Sequence, residues 1–235
     1  MSKEHEIKLV FNSKIKFLKQ YSSQPIRIIS NNFESLEGSI PQIWIEIFEE
    51  NKNTRIEKIL NLWDATLSKE LSNTISYLRR FLKEVDLLKI GEKYYILYSI
   101  ENCDTKKIGY YVGGNPKDDQ TLASSHIIKY WKNLPKKLQI FYEKIHNGFY
   151  YFASRSMGID ELQEVDSLSE FYDNESDEYD LEYLFNFFSN GMGDYIVLDI
   201  SREKDNAFIW WKEEKPEKVD IWSYLDEWIT MGFYD

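Results

Sequence analysis

The feature that most constrains the fold is a run of apolar residues at helical spacing. Ile56, Leu60, Trp63, Leu67, Leu71, Ile75, Leu78, Leu82 and Val85 recur every three or four positions. That spacing gathers the side chains on one helix face, which must be buried against a core. Thr54 and Glu57 read as a capping box, each side chain placed to satisfy the other residue's free amide. The span is longer than an ordinary helix, so a break is expected near Asp64–Ser68.

Beyond this stripe the period changes. After Gly91, the segments KYYILYSI (93–100) and IGYYV (108–112) are rich in aromatic and β-branched residues and read as paired strands joined by ENCDTKK. The breaker-rich GGNPKDDQ (113–120) reads as a boundary between residues 1–120 and residues 121–235. Later in the chain, Leu134, Leu138, Phe141, Tyr142 and Ile145 share a helix face opened by Pro135 and closed by Asn147-Gly148. Residues 194–200 and 207–211 read as two strands, with a charged connection over 212–218. Ile221, Trp222, Leu225, Trp228 and Ile229 form a last helix capped by Asp220. In the first 50 residues, IRII (26–29) and IWIEI (43–47) read as short strands. Helices and strands without regular alternation imply an α+β fold.

Charge divides the chain. The net charge is −11, yet residues 124–235 hold 11 basic and 23 acidic residues, leaving residues 1–123 near neutrality. An acidic protein of this kind is a poor ligand for nucleic acid or anionic lipid. No apolar run reaches the roughly 18 residues of a membrane helix. The charged start lacks the apolar centre of a secretory signal, and the single Cys103 allows no internal disulfide, so the expected compartment is the cytoplasm.

The residues offer little catalytic chemistry. The three histidines are His5, His126 and His146, and His146 reads as a capping or surface residue at a helix end. No HExxH pair, zinc-ligand set or GxSxG elbow occurs, so neither metal nor cofactor is expected. Asn190-Gly191-Met192-Gly193-Asp194 lacks the Lys and Ser/Thr of a phosphate loop and precedes a strand; it reads as a tight turn.

The order of several fragments carries a resemblance. The Leu134-Pro135-x-x-Leu138-x-x-Phe141-Tyr142 helix with Asn147-Gly148 resembles the opening helix of the SUKH superfamily. Gly158-Ile159 with Leu162 is similar to the strand and turn that come next in that family. The run from Phe187 through the Gly191–Gly193 turn to Asp199, then Phe208-Ile209-Trp210-Trp211 and Ile221-Trp222 to Trp228, resemble that family's central strands and closing helix. The resemblance covers residues 124–235 and implies a twisted, mainly antiparallel sheet flanked by helices; residues 1–120 have no counterpart in it and read, from their own periodicity, as an additional α+β region. It also implies a non-enzymatic role: the family includes fungal cell-wall-synthesis regulators and many bacterial immunity proteins.

Residues 160–182 contain 11 Asp or Glu among 23 positions, no Lys or Arg, and interspersed aromatics. A solvated loop explains the charge alone, but such a loop tends to omit aromatics. A dense anionic surface with rings suits a basic protein, because charge accelerates encounter and desolvated aromatics hold the complex. Joined to the resemblance to immunity proteins, which implies an antitoxin, this makes the expected partner a basic toxin domain, plausibly a nuclease, whose own positive charge serves its phosphate substrate. The expected contacts are Asp160, Glu161, Glu164, Asp166, Glu170 and Asp173 as steering acids, with Tyr172 and Tyr179 as anchors. A scaffold or regulatory adaptor binding several protein partners is the alternative. For residues 1–120, a degenerate second copy, a dimerisation element and an extension of the partner surface all fit the periodicity.

Overall fold

A computed structural model describes residues 3–116, 125–172, 179–201, 206–211 and 215–234. Its centre is one sheet of ten strands laid down in chain order, each antiparallel to its neighbours. The strands are β1 (Ile26–Ile29), β2 (Leu82–Ile90), β3 (Lys93–Glu101), β4 (Ile108–Gly114) and β5 (Asn147–Tyr151), then β6 (Ser156–Ile159), β7 (Leu184–Ser189), β8 (Tyr195–Asp199), β9 (Asn206–Trp210) and β10 (Glu217–Val219). Among the described residues the α-helices are α1 (Lys3–Gln20), α2 (Gln42–Phe48), α3 (Lys52–Leu67), α4 (Ser72–Phe81), α5 (Lys136–Ile140) and α6 (Ile221–Gly232). The fold is α+β, as the order of elements implied.

The long apolar stripe is two helices and part of a strand. α3 ends at Leu67 and α4 restarts at Ser72, so the break spans residues 68–71, at the end of the expected 64–68 window and just beyond it. The start differs. Asn51, not Thr54, caps α3: its Oδ1 accepts from the amides of Asn53 (3.2 Å) and Thr54 (3.3 Å). Leu82 and Val85 lie on β2, not on the helix. In a regular strand, residues three apart face opposite sides. A bulge between Leu82 and Glu84 inserts one residue, which returns both to the same core and so imitates helical spacing.

Residues 43–47 form α2 and not a strand. Trp44, Ile45, Ile47 and Phe48 are all buried, a pattern of helical and not alternating faces. A seven-residue helix is marginal alone, and burial of those four side chains sustains it. The 212–218 connection contributes a short edge strand, β10, paired with β9.

The sheet does not stop at the expected boundary. β4 pairs with β5, setting Tyr111 opposite Tyr151 and Gly113 opposite Phe149. Trp63 of α3 donates its indole N–H to the Tyr98 hydroxyl (3.0 Å) and packs edge-on against Phe141 and Phe149. Tyr98 lies 2.6 Å from Nε2 of His146, which is completely buried and so is not a surface residue, though its backbone amide does cap the Phe141–Ile145 turn by donating to the Phe141 carbonyl (3.0 Å). Burial holds the His146 imidazole down to about 3, so it is neutral. The Cβ missing at Gly113 leaves the space its ring occupies. One main core, containing residues from Phe33 to Phe233, therefore runs through both regions on one face of the sheet.

The opposite face has two covers. α1 packs Phe17 and Leu18 against Leu88, Tyr95, Leu97, Tyr110, Val112, Tyr150 and Phe152. Lys14 of α1, almost fully buried, pairs with Glu84 and with Asp86 (2.6 Å) on β2. Over the later strands, Leu168, Leu181, Leu184 and Val197 form a small second core roofed by Tyr172 and Tyr179.

Candidate partner-binding surface

The acid-rich segment leaves β6 at Ile159, sends Leu162 and Val165 into the main core and then Leu168 into the small core over the later strands. Its path is fixed by buried apolar side chains and by asparagines. Leu162, Val165 and Leu168 are fully buried and act as pegs. The Asn147 Oδ1 accepts from the Leu162 amide (2.9 Å), and its Nδ2 donates to Gln163 (2.9 Å). The Asn186 Oδ1 accepts from the Asp166 amide (2.9 Å), while the Asn186 amide donates back to the Asp166 carbonyl (3.1 Å). Ser125 donates its hydroxyl to the Leu162 carbonyl (2.6 Å).

Gly148 makes this path possible. Its φ is +80°, and a Cβ there would stand 2.7 Å from the Glu161 amide nitrogen. Asn147-Gly148 is thus the start of β5 and the seat of the acidic loop, and not the helix stop that the sequence suggested. The preceding helix ends instead in a wider turn over Phe141–Ile145.

The eight expected contacts fall into different environments. Glu161 is a correction, since it is 3 % exposed and faces inward. It accepts from the hydroxyls of Tyr150 (2.6 Å) and Tyr95 (3.1 Å), and lies 3.5 Å from Lys93 Nζ and 3.8 Å from Arg155. A buried carboxylate needs such partners, and here they hold the loop to β3 and β5. Burial first, then the Glu161 charge, pushes both tyrosine hydroxyls above their usual range. Asp160 is half-buried. Its amide donates to the Phe187 carbonyl (2.9 Å), and its carbonyl accepts from the Tyr142 hydroxyl (2.8 Å). Burial, then the charge of Glu164, pushes its carboxyl up to about 8, with Arg155 opposing. Asp160 is therefore largely uncharged at neutral pH, which removes it from the set of steering charges.

Glu164 and Glu170 are exposed, and Asp166 is partly so. Glu164 lies 3.9 Å from Arg155, and Asp166 lies 3.2 Å from His126 Nδ1. The alternation of buried pegs with these acids turns the three carboxylates outward from one anchored loop. The tyrosines are half-buried: Tyr172 packs against Trp210 (ring centroids 6.1 Å apart), and Tyr179 against Phe208 (5.7 Å) and Trp210 (5.8 Å). Asp173 lies outside the described residues. The most exposed ring of the segment is Phe171, 57 % accessible, which the choice of tyrosines as anchors passed over. The sequence reading also missed Asn186 and Arg155. Arg155 comes from the β5–β6 turn and stacks over the Tyr150 ring at 5.1 Å, a tertiary contact with no local signal.

Among the described residues, no group of three or more His, Cys, Asp or Glu side chains is placed to hold a metal ion, and no helix is long and apolar enough to cross a membrane. No curated protein and no solved structure matches the chain. Residues 126–231 match the SMI1 / KNR4 family (SUKH-1) model, a span that begins just before α5 and ends in α6. That segment, which carries the acidic loop, is similar to the SUKH superfamily, in agreement with the order of fragments in the sequence.

Proposed function

We propose that this protein is a non-enzymatic immunity protein that binds a basic toxin domain, plausibly a nuclease, through the outward acids Glu164, Asp166 and Glu170 with Phe171 beside them. Members of the family are generally immunity or regulatory proteins without enzymatic activity. The observation that carries the reading is the anchoring of the loop. Three buried apolar pegs and two asparagines hold it in place, so its charges are presented on a fixed path. A prearranged surface loses less conformational freedom on binding than a flexible tail would. Exposed carboxylates supply long-range attraction, and a protruding phenyl ring supplies contact area that water leaves on docking.

The experiment is co-expression with a basic nuclease toxin domain, followed by co-purification and toxin assay. Association is then timed for the triple variant Glu164→Lys, Asp166→Lys, Glu170→Lys. Steering by such charges accelerates encounter by roughly 10- to 1000-fold at low salt and fades as screening approaches about 8 Å. The variant should lose that acceleration and its salt dependence. An association rate and salt dependence equal to the parent's would refute the assigned surface. Recovery of several unrelated proteins, without toxin rescue, would favour a regulatory adaptor.

A further inference from the structure

The chain has four methionines, and the three beyond Met1 converge on one cleft. Met157, Met192 and Met231 line a space of about 760 Å³ between the end of α6, the start of β4, the β5–β6 turn and the 190–194 turn. Its lining includes residues from Phe17 to Tyr111 and from Tyr151 to Phe233, so neither region builds it without the other.

The geometry points to a binding site for a small, uncharged, largely apolar molecule that carries a hydrogen-bonding group. A volume of this size falls within the roughly 300–1,000 Å³ typical of small-molecule sites. The walls are aromatic and aliphatic, with Trp228, Tyr151 and Phe233 on them. Polar side chains line it from the β3–β4 loop (Asn102, Thr105 and Lys107) and from the β5–β6 and 190–194 turns. There Ser154 and Ser156 share a hydrogen bond (2.7 Å), and Asn190 donates to Asp194 (2.6 Å). The lining has one cation, Lys107, and one anion, Asp194, which offers no net charge to recruit an ion.

The rim holds apolar side chains in solvent that a folded protein usually covers. Met192 is 83 % exposed, Met231 52 % and Ile108 38 %. Met192 projects because Gly191 (φ +78°) and Gly193 (φ +104°) turn the chain sharply on both sides of it. Unbranched thioethers adapt their shape to an apolar guest, which suits a mouth that must admit and then cover one. At Gly232 a Cβ would meet the Tyr111 hydroxyl and lie 2.8 Å from Met157 Cβ, so the wall is close-packed there. At Gly109 an added Cβ would meet nothing nearer than 3.8 Å. A side chain at that position could extend into the cleft without straining the strand.

The test is a fluorescence titration of the full chain with 1-aminoanthracene, a flat, uncharged apolar probe. The expected result is one saturable class of sites. Gly109→Leu should weaken binding by about tenfold or more, since its side chain replaces the apolar contact area of the guest. Met192→Ser should weaken it severalfold, and at so exposed a position it keeps the measurement valid should Gly109→Leu not fold. Glu164→Lys should leave probe affinity unchanged, which separates this site from the acidic surface. The inference is overturned by the absence of saturable binding to the parent protein, or by parental affinity in both cleft variants. Failure to bind the probe combined with capture of an 18-residue Leu/Lys amphipathic peptide, lost in Gly109→Leu, would also overturn it and make the cleft a peptide groove.

Discussion

Asp226 tests whether the two regions fold as one unit. α4 starts at Ser72 with Leu71 at its cap position, and leucine offers no acceptor for the free amides of the first turn. The acceptor arrives from α6: the Asp226 carboxylate takes hydrogen bonds from the amides of Asn73 (2.9 Å) and Thr74 (2.8 Å), more than 150 residues away in sequence. Asp226 is 5 % exposed and Thr74 is fully buried, so water replaces these bonds poorly. Losing a cap costs about 1 kcal/mol. Removing a negative charge from a helix start costs about 0.3–1 kcal/mol more. Charge-assisted bonds in a buried setting lie at the upper end of the range for hydrogen bonds. Asp226→Ala should therefore destabilise the protein by about 2–4 kcal/mol, with a fall in Tm of roughly 5–15 °C for a chain of this length. Urea unfolding followed by tryptophan fluorescence should show a lower midpoint, an unchanged slope and a single transition. A loss below about 0.5 kcal/mol would refute the capping argument. Two separate transitions in the parent protein would refute the continuity of the core.

Other substitutions probe the seat and the charge state of the acidic loop. Gly148→Ala forces a side chain into the left-handed region, which costs about 1–2 kcal/mol, and drives a Cβ against the Glu161 amide. It should lower the unfolding midpoint and expose residues 160–172 to protease; an unchanged cleavage rate there would contradict the docking described. Asp160 titrates near 8 when folded and near 4 when unfolded, so between those values the folded state holds more protons. Its contribution to stability is therefore present below pH 4 and lost as the pH rises toward 8. Asp160→Asn should remove that loss, so the variant gains on the parent in thermal melts as the pH climbs from 5 to 8. Parallel pH profiles would refute the shift.

Legibility tracked the range of the interactions. The α3 and α4 stripe, the β3–β4 pair and the Asp220 cap, whose carboxylate accepts from the Ser223 amide (2.8 Å), depend on neighbours within a few residues, so spacing revealed them. α2 was misread because Ile43, Ile45 and Ile47 alternate, while Trp44 and Phe48 supply the burial that makes it a helix. Glu161 and Glu164 look alike as sequence, yet one is enclosed by Tyr95 and Tyr150 and the other stands in solvent. No property of an isolated acidic run distinguishes them.

The sequence alone determined the α+β class, the apolar faces of the principal helices, the concentration of acid in the later part of the chain and the SUKH-like order of its segments, because each is written in residue type and short-range spacing. Tertiary structure decided which acids point outward, that Asn147 and Gly148 seat the loop, that His146 is buried, and that β4 joins β5 so one sheet spans the chain. Those outcomes rest on contacts between residues far apart in sequence, whose energies depend on burial and distance and exist only once the sheet has formed.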